Sequence, residues 1–128
     1  MSDKLFKTGI LSDTEIAELF NARIINASEK LTNDQIQPAS LDLRLGKKAW
    51  RVRSSFLPGS KNKVKSKISR LSMHEIDLSK GAVLEKGCVY IAEIIEFLDL
   101  PGNISASANP KSSTGRLDIF TRLIADNA

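Results

Sequence analysis

The densest group of potential phosphate ligands in this sequence lies in the stretch NPKSSTGR, residues 109–116. Lys111 and Arg116 supply two cations, a point charge and a planar fork suited to bidentate contact with an oxyanion. Three hydroxyl donors lie between them: Ser112, Ser113 and Thr114. Gly115 lets the backbone approach a ligand closely and adopt unusual dihedral angles. Consecutive backbone N–H groups in such a turn can form an anion nest. The composition fits a phosphate group, and it fits an ordinary polar turn equally well.

The stretch is not one of the common nucleotide-binding loops. A Walker A loop needs the pattern G-x-x-x-x-G-K-[ST], but Asn109 and Pro110 precede Lys111 and no glycine stands at the required offset. The dinucleotide pattern G-x-G-x-x-G is also missing from the sequence. Any phosphate binding here must therefore use a different local structure.

Two classes of catalytic site find no support in the residue types. The only histidine is His74 and the only cysteine is Cys88, so the H-x-E and P-C-x-x-C patterns of zinc-dependent nucleobase deaminases are absent. A serine or cysteine triad would have to use His74 as its base, and no nucleophile elbow is present. Cys88 lies in the apolar stretch GCVYIA, which favours a buried small residue over a nucleophile.

Length and composition predict a single domain over residues 1–128. The chain is 41% hydrophobic, enough for a core, and no apolar run approaches the ~18 residues of a membrane span. The N-terminal residues MSDKLFKTGI contain no apolar signal-peptide region. With one cysteine no internal disulfide is possible, and a reducing, cytoplasmic compartment is expected.

Positive charge is concentrated in one region. Arg44 to Arg70 contains ten lysines and arginines and no acid, whereas the rest of the chain has nine basic and fifteen acidic residues. Such a region can bind a polyanion such as nucleic acid. The turn formers, the alternating lysines and the lack of interleaved aromatic residues favour a solvated loop around Leu57–Lys67 instead.

One short amphipathic helix is predicted near the N-terminus. Ser12 and Glu15 form an S-x-x-E capping box, in which each side chain satisfies a backbone N–H of the first turn. Ile16, Leu19 and Phe20 follow at helical spacing and form an apolar stripe. The helix is expected to pack on the core.

The remaining pattern predicts short strands. Leu41, Leu43 and Leu45 alternate with polar residues in SLDLRLG, a half-buried strand that Gly46 would close, with KAWRVRS as a candidate hairpin partner. Pro-Gly after EIIEFLDL and β-branched residues before it favour a strand over a helix there. Further short strands are predicted within IDLSKGAVLEKGCVYIAEIIEFLDLPG, NISASA and LDIFTRLIAD.

The order of elements indicates a mainly β domain, a barrel or jelly roll with one short N-terminal helix. The last predicted strand ends at the C-terminus without a closing element, which would leave its edge unpaired. The fold is therefore expected to be incomplete at the C-terminus.

Two segments together resemble a known family. QPASLDLRLG and LPGNISASANPKSSTGRLDIFTRLIAD are similar to the dCTP deaminase branch of the dUTPase-like superfamily, in the N-terminal region of the long bacterial form. The resemblance implies a distorted β-barrel or jelly roll and a homotrimer with active sites between subunits. It also implies hydrolytic deamination of dCTP to dUTP and ammonia, in the synthesis of dUTP and dTTP, with Mg²⁺ on the triphosphate and without zinc.

The resemblance also assigns roles to residues. Lys111 matches a basic residue that contacts the triphosphate, and Ser112 and Ser113 match a phosphate-binding serine pair. Ser112 and Arg116 match the residues of the deamination site, and Ala125 and Asp126 match positions that line the nucleoside pocket. The expected substrate-binding residues are Lys111, Ser112, Ser113, Thr114, Gly115, Arg116 and Asp126, of which Ser112 and Arg116 are expected to be catalytic.

One part of the family's site has no counterpart among these residues. The family's general base is a glutamate on a later strand, and no carboxylate of this sequence, Asp118 included, matches it. Two other functions stay open: a dUTPase-like pyrophosphatase on the same fold, and a non-catalytic module that binds nucleic acid through the basic region. Pyrophosphate release would identify the first, and binding that depends steeply on salt would identify the second.

Overall fold

The computed structural model describes residues 8–124, and within them the chain forms seven strands and three helices. The prediction of a mainly β chain with a short N-terminal helix is confirmed, although two further short helices accompany it. In chain order the elements are α1 (Asp13–Asn21), β1 (Ile25–Ala27), β2 (Ile36–Gln37), β3 (Ser40–Leu41), β4 (Leu45–Val52), α2 (Val64–Leu71), β5 (Ser72–Asp77), β6 (Val89–Ile94), β7 (Glu96–Leu98) and α3 (Ser112–Arg116).

The chain divides into two compact units. Unit 1 comprises Met1–Gly46 and Glu93–Pro101, and unit 2 comprises Lys47–Ala92 and Gly102–Ala128. The described strands form three small sheets rather than a closed barrel: β1 with β7, β2 with β3, and β5-β4-β6. The pairs β1–β7, β2–β3 and β4–β5 are antiparallel. None of the helices in the described part of the chain is long and apolar enough to span a membrane.

In unit 1, helix α1 begins at the predicted capping box. The Ser12 backbone N–H donates to Glu15 Oε2 at 2.8 Å, and the Ser12 hydroxyl accepts from the Glu15 N–H at 3.5 Å. Ile16 and Leu19 are buried and Phe20 is half-buried, as the apolar stripe predicts. The first turn therefore satisfies its own donors, and the helix packs its apolar face into the core of unit 1.

The predicted strand over SLDLRLG is wrong in its bounds. The backbone is in strand only at Ser40–Leu41 and again from Leu45 onward. Between them, the Asp42 N–H donates to the Gln35 carbonyl at 2.9 Å and the Arg44 N–H donates to Glu96 Oε2 at 2.9 Å. Because these contacts use the backbone donors of Asp42 and Arg44, no continuous ladder forms over the alternating leucines.

KAWRVRS is not a hairpin partner of the preceding segment but its continuation. Gly46 lies inside β4, which runs to Val52, and the actual antiparallel partner is β5. A bulge between Arg51 and Val52 shifts the register of this pair. In unit 2 the buried apolar side chains are Ala49, Val52 and Ile68.

Gly46 is required by a close approach. A Cβ on this residue would lie 2.7 Å from Glu93 Cγ and 3.3 Å from the Glu93 carbonyl oxygen. We expect Gly46→Ala to lower the free energy of unfolding by about 1–2 kcal/mol, because the added methyl overpacks the contact. Chemical denaturation measures this, and adding Glu93→Ala should recover most of the loss. No recovery in the double variant would show that the Glu93 side chain is not the obstacle.

The predicted loop around Leu57–Lys67 is wrong over its last residues, which form the start of helix α2. Val64, Ile68 and Leu71 recur at i, i+4 and i+7, and Ile68 is buried while the other two are half-buried. The lysines between them hide this apolar stripe in a linear reading of the sequence.

The later strand predictions are partly confirmed. Most of EIIEFLDL lies in β6 and β7, not in a helix. Gly81 and Gly87 adopt left-handed dihedral angles in the link before β6. NISASA contains only a single bridge residue, Ser107. The predicted strand over LDIFTRLIAD is wrong across residues 117–124, where the described chain has no strand, because the backbone turns at Asp118 with φ of 60°. Its last two residues lie outside the described residues.

Candidate functional site

The Lys111–Arg116 motif folds into one short helical turn. Lys111 is the N-cap of α3, and its carbonyl accepts hydrogen bonds from the N–H groups of Thr114 at 3.1 Å and Gly115 at 3.2 Å. Gly115 does not use its conformational freedom, since this residue is helical and the left-handed residue is Asp118. The chain therefore turns after the motif, at Asp118.

The polar groups of α3 face solvent. Ser112, Ser113 and Arg116 are exposed, whereas Thr114 is half-buried. Within residues 8–124 the two serine hydroxyls and the Arg116 guanidinium form no hydrogen bond or ion pair. The N–H groups of Ser112 and Ser113 precede the first intrahelical hydrogen bond and are likewise unused by the helix.

Helical spacing brings three of these side chains onto one face. Arg116 follows Ser113 by three residues and Ser112 by four, the two offsets that place side chains next to each other on a helix. The turn thus presents two hydroxyls and a planar cation side by side, with Lys111 at its start. This set can donate several charge-assisted hydrogen bonds to phosphoryl oxygens.

Gly115 leaves this turn open. A Cβ on Gly115 would meet no atom within 4 Å, so the described part of the protein does not itself exclude a side chain there. A hydrogen at this position lets a ligand approach the backbone between Thr114 and Arg116 more closely than any other residue would.

The other candidates considered from sequence are not arranged for catalysis. His74 is exposed in β5, opposite Arg51 in β4. Cys88 is half-buried rather than fully buried, with Sγ 3.7 Å from Glu85 Oε2. In residues 8–124 no group of three or more His, Cys, Asp or Glu side chains is placed to hold a metal ion. Ala125 and Asp126 lie outside the described residues, so the predicted role of Asp126 stays a prediction.

A pocket in unit 2 was missed by the sequence analysis. It has a volume of about 300 Å³ and combines an aromatic ring and a guanidinium with aliphatic side chains. The residues that line it are Ser55, Phe56, Leu57, Arg122, Leu123 and Ile124. The two contributing segments are more than sixty residues apart in the chain, so no local pattern could have brought them together.

Unit 1 contains a buried ionic network that was also missed. Glu96 is 3% exposed and accepts hydrogen bonds from Arg44 Nε at 2.7 Å, the Arg44 N–H at 2.9 Å and Gln35 Nε2 at 2.5 Å. The rest of the Arg44 guanidinium donates to the carbonyls of Lys30 and Glu29. Burial raises the pKa of Glu96, but the hydrogen bonds from Arg44 and Gln35 outweigh it and hold the pKa below its ordinary value.

This network fixes the loop between β3 and β4. With every partner hydrogen-bonded, the pair meets the condition for a tolerable buried charge. No buried side-chain nitrogen or oxygen in the described residues lacks a partner. The network therefore acts on the structure of unit 1 rather than on a reaction.

Comparison with known proteins identifies the family. Residues 7–128 match the family described as the 2'-deoxycytidine 5'-triphosphate deaminase (DCD) N-terminal domain. The dCTP deaminase of Haemophilus ducreyi is 30% identical over 122 residues, covering 90% of this chain and 63% of that protein. A protein of Coprothermobacter proteolyticus named dCTP deaminase, dUMP-forming, is 34% identical over 118 residues, covering 91% of this chain and 61% of that protein.

A solved structure agrees with this assignment. The crystal structure of 2'-deoxycytidine 5'-triphosphate deaminase from Agrobacterium tumefaciens is 61% identical, with a TM-score of 0.84 over 88% of this chain and 33% of that chain. The chain thus spans about 63% of the length of a curated relative such as the H. ducreyi protein, and a third of the crystallised one. The predicted family and the mainly β, dUTPase-like fold class are confirmed. The chain belongs to the dCTP deaminase N-terminal domain family.

Proposed function

We propose that this chain provides the triphosphate-binding part of a dCTP deaminase, which hydrolyses dCTP to dUTP and ammonia. The observation that supports it most directly is the α3 turn. Two serine hydroxyls and the Arg116 guanidinium lie on one exposed face and have no partner in the described residues. Groups that fold without internal partners in a member of this family are available to bind the substrate.

In this proposal each residue of the Lys111–Arg116 motif has a role in binding the nucleotide. Lys111 and Arg116 neutralise charge on the triphosphate, and Ser112 and Ser113 donate hydrogen bonds to its oxygens. Gly115 gives the phosphates access to the backbone, and the Thr114 hydroxyl is a further donor to the substrate. Ser112 and Arg116 also support the reacting end of the nucleotide, and Asp126 lines the nucleoside pocket.

Mg²⁺ in this proposal arrives with the nucleotide. The motif offers cations and hydroxyls, Asp118 is a single carboxylate two residues after it, and the described residues contain no group of three or more side chains placed to hold a metal ion. A donor set of this kind fits phosphoryl oxygens rather than a bare divalent cation, so the phosphates themselves would hold Mg²⁺. The ion would reduce the negative charge that α3 has to neutralise.

Attack of water on C4 needs a base within hydrogen-bond distance of that water. The family resemblance implies that this base is a glutamate on a later strand that none of the carboxylates in this sequence matches, and Asp118 follows α3 as a turn residue. In this proposal the chain therefore binds the triphosphate and supports the reacting end of the nucleotide, and it does not supply the base.

We also propose a homotrimer that acts in the cytoplasm, as the family resemblance implies. Three large apolar side chains follow α3 and are exposed in the single chain: Leu117, Ile119 and Phe120. Phe120 is 93% exposed, which is costly for an aromatic ring in water and supports burial against another copy.

Ligand-dependent stability tests the proposed substrate. With Mg²⁺ present, dCTP at a hundred times its dissociation constant should raise the free energy of unfolding of this chain by about 2.7 kcal/mol. Deoxycytidine without phosphates, at the same concentration, should raise it much less, because it cannot engage α3. Equal effects of the two ligands would contradict triphosphate binding.

Product analysis separates deamination from the pyrophosphatase alternative. Ammonia release from dCTP by a protein containing this chain supports the proposal, and pyrophosphate release from dUTP together with no ammonia release from dCTP contradicts it. Some relatives are named as dUMP-forming dCTP deaminases, so ammonia accompanied by pyrophosphate would indicate that variant of the reaction.

A further inference from the structure

The two units of this chain carry opposite net charge. Unit 2 contains 14 lysines and arginines and 5 acidic residues, a net charge of +9. Unit 1 contains 5 lysines and arginines and 10 acidic residues, a net charge of −5. The small overall charge of +4 hides this segregation. The α3 motif belongs to the positive unit, which is the unit that an anionic nucleotide would approach.

Most of the excess charge lies in what we call the cationic segment, residues 53–70. Two ion pairs of unit 2 join Lys48 to Glu75 and Arg51 to Glu85, and all four residues lie outside this segment. Within residues 8–124 its exposed cations have no ion-pair partner: Arg53, Lys61, Lys63, Lys65 and Arg70.

Two of these cations, Lys63 and Lys65, oppose the dipole of helix α2, whereas Arg70 in its last turn complements that dipole. Lys63 is the N-cap of α2 and Lys65 lies in its first turn, which contains no acid and has no side-chain cap. Positive charge at a helix N-terminus opposes the helix dipole, and clustered like charges repel one another. Glutamate at these positions would stabilise α2, so the lysines point to a role outside folding.

We propose that the cationic segment attracts the nucleoside triphosphate and speeds its capture by the Lys111–Arg116 motif. The inference rests on the proposed function, because it takes the motif to be the triphosphate site. The segment acts through its field rather than through contact with the bound nucleotide. Attraction grows with ligand charge, so the segment also favours triphosphates over diphosphates and monophosphates.

The dependence on salt concentration distinguishes attraction by the field of the cationic segment from direct contact with the bound nucleotide. The Debye length is roughly 30 Å at 0.01 M ionic strength and about 8 Å at 0.15 M. A folded body of about 100 residues has a radius of gyration of roughly 13 Å. At low salt the field of the segment therefore reaches across all of unit 2, and at high salt it does not.

The test compares two double variants of the full chain. Lys63→Glu with Lys65→Glu reverses two charges in the segment, and Lys80→Glu with Lys86→Glu reverses two exposed charges elsewhere in unit 2. Stopped-flow fluorescence with a fluorescent dCTP analogue gives association and dissociation rates between 0.01 and 0.5 M salt. Thermal unfolding checks that the first variant is no less stable than wild type.

We expect the Lys63/Lys65 variant to associate about tenfold more slowly than wild type at the lowest salt, with an unchanged dissociation rate. The difference should disappear at the highest salt and should be smaller for the corresponding diphosphate. At the lowest salt, the association rate of the Lys80/Lys86 variant should fall much less. This combination of results would identify the segment as the source of the attraction.

Other outcomes overturn the inference in distinct ways. Equal slowing of both variants would mean that the segment has no special role, and a deficit that persists at high salt would indicate direct contact. Tight binding of a DNA oligonucleotide, lost in the Lys63/Lys65 variant, would assign the segment to nucleic acid. If wild type captures the analogue but both variants match it, only this inference fails; if wild type captures none, the proposed function fails as well.

Discussion

Replacing Arg116 with alanine is expected to weaken dCTP binding by about 30- to 1000-fold, the cost of removing one partner of a desolvated charge pair. The same change should leave the free energy of unfolding within about 0.5 kcal/mol of wild type, because Arg116 is exposed and has no partner in the described residues. Isothermal titration with dCTP and Mg²⁺ measures the first quantity, and chemical denaturation measures the second.

Two further variants control this experiment. Arg116→Lys keeps the charge but not the planar fork, so it should recover part of the affinity and not all of it. Lys80→Ala removes an exposed cation elsewhere in unit 2 and should bind dCTP almost as wild type does. Wild-type affinity in Arg116→Ala would refute the role of the motif, and a large loss of stability would make Arg116 a structural residue.

Replacing Glu96 with glutamine is expected to lower the free energy of unfolding by about 2–3 kcal/mol at pH 7. The amide has one acceptor oxygen in place of two, and its NH₂ faces the donors of Arg44 and Gln35. Breaking a buried pair leaves the remaining charge without compensation, although Arg44 is partly exposed to water and so loses less. Denaturation curves of the two proteins at one temperature measure the difference.

The difference in free energy of unfolding between wild type and Glu96→Gln should become smaller as the pH falls into the acid range. The pKa of Glu96 is held below its ordinary value, so its carboxylate stabilises the fold above the ordinary glutamate pKa of about 4.3, and that contribution is lost as pH falls through the lowered value. The difference between wild type and Glu96→Gln should therefore be constant at neutral pH and shrink in acid.

A nearby carboxylate provides the control. Glu93 is exposed in β6, and Glu93→Gln should change the free energy of unfolding by less than about 0.5 kcal/mol at any of these pH values. If Glu96→Gln lowers the free energy of unfolding by the same amount at every pH, the role of the charge is contradicted, because the loss would then reflect packing alone.

Several features of this protein follow from the sequence by itself. The capping box of α1 is local, because Ser12 and Glu15 satisfy each other's backbone N–H groups across three residues. The apolar stripe of the same helix follows from short-range spacing, and the strands of EIIEFLDL follow from the β-branched residues before this segment and the Pro-Gly after it. The residue types of the Lys111–Arg116 motif were readable for the same reason, since the motif is contiguous in the chain, and the family resemblance lies in two segments that are each contiguous.

Only the tertiary structure decided the remainder. The strand over SLDLRLG is interrupted because Glu96, some fifty residues away, accepts the hydrogen bonds of Arg44. Helix α2 is stabilised because Ile68 is buried in the core of unit 2. Charge segregation likewise depends on which segments fold together, since unit 2 joins two distant stretches. Alternation and composition describe what a segment can form alone, whereas long-range hydrogen bonds and burial decide which of those forms has the lowest free energy.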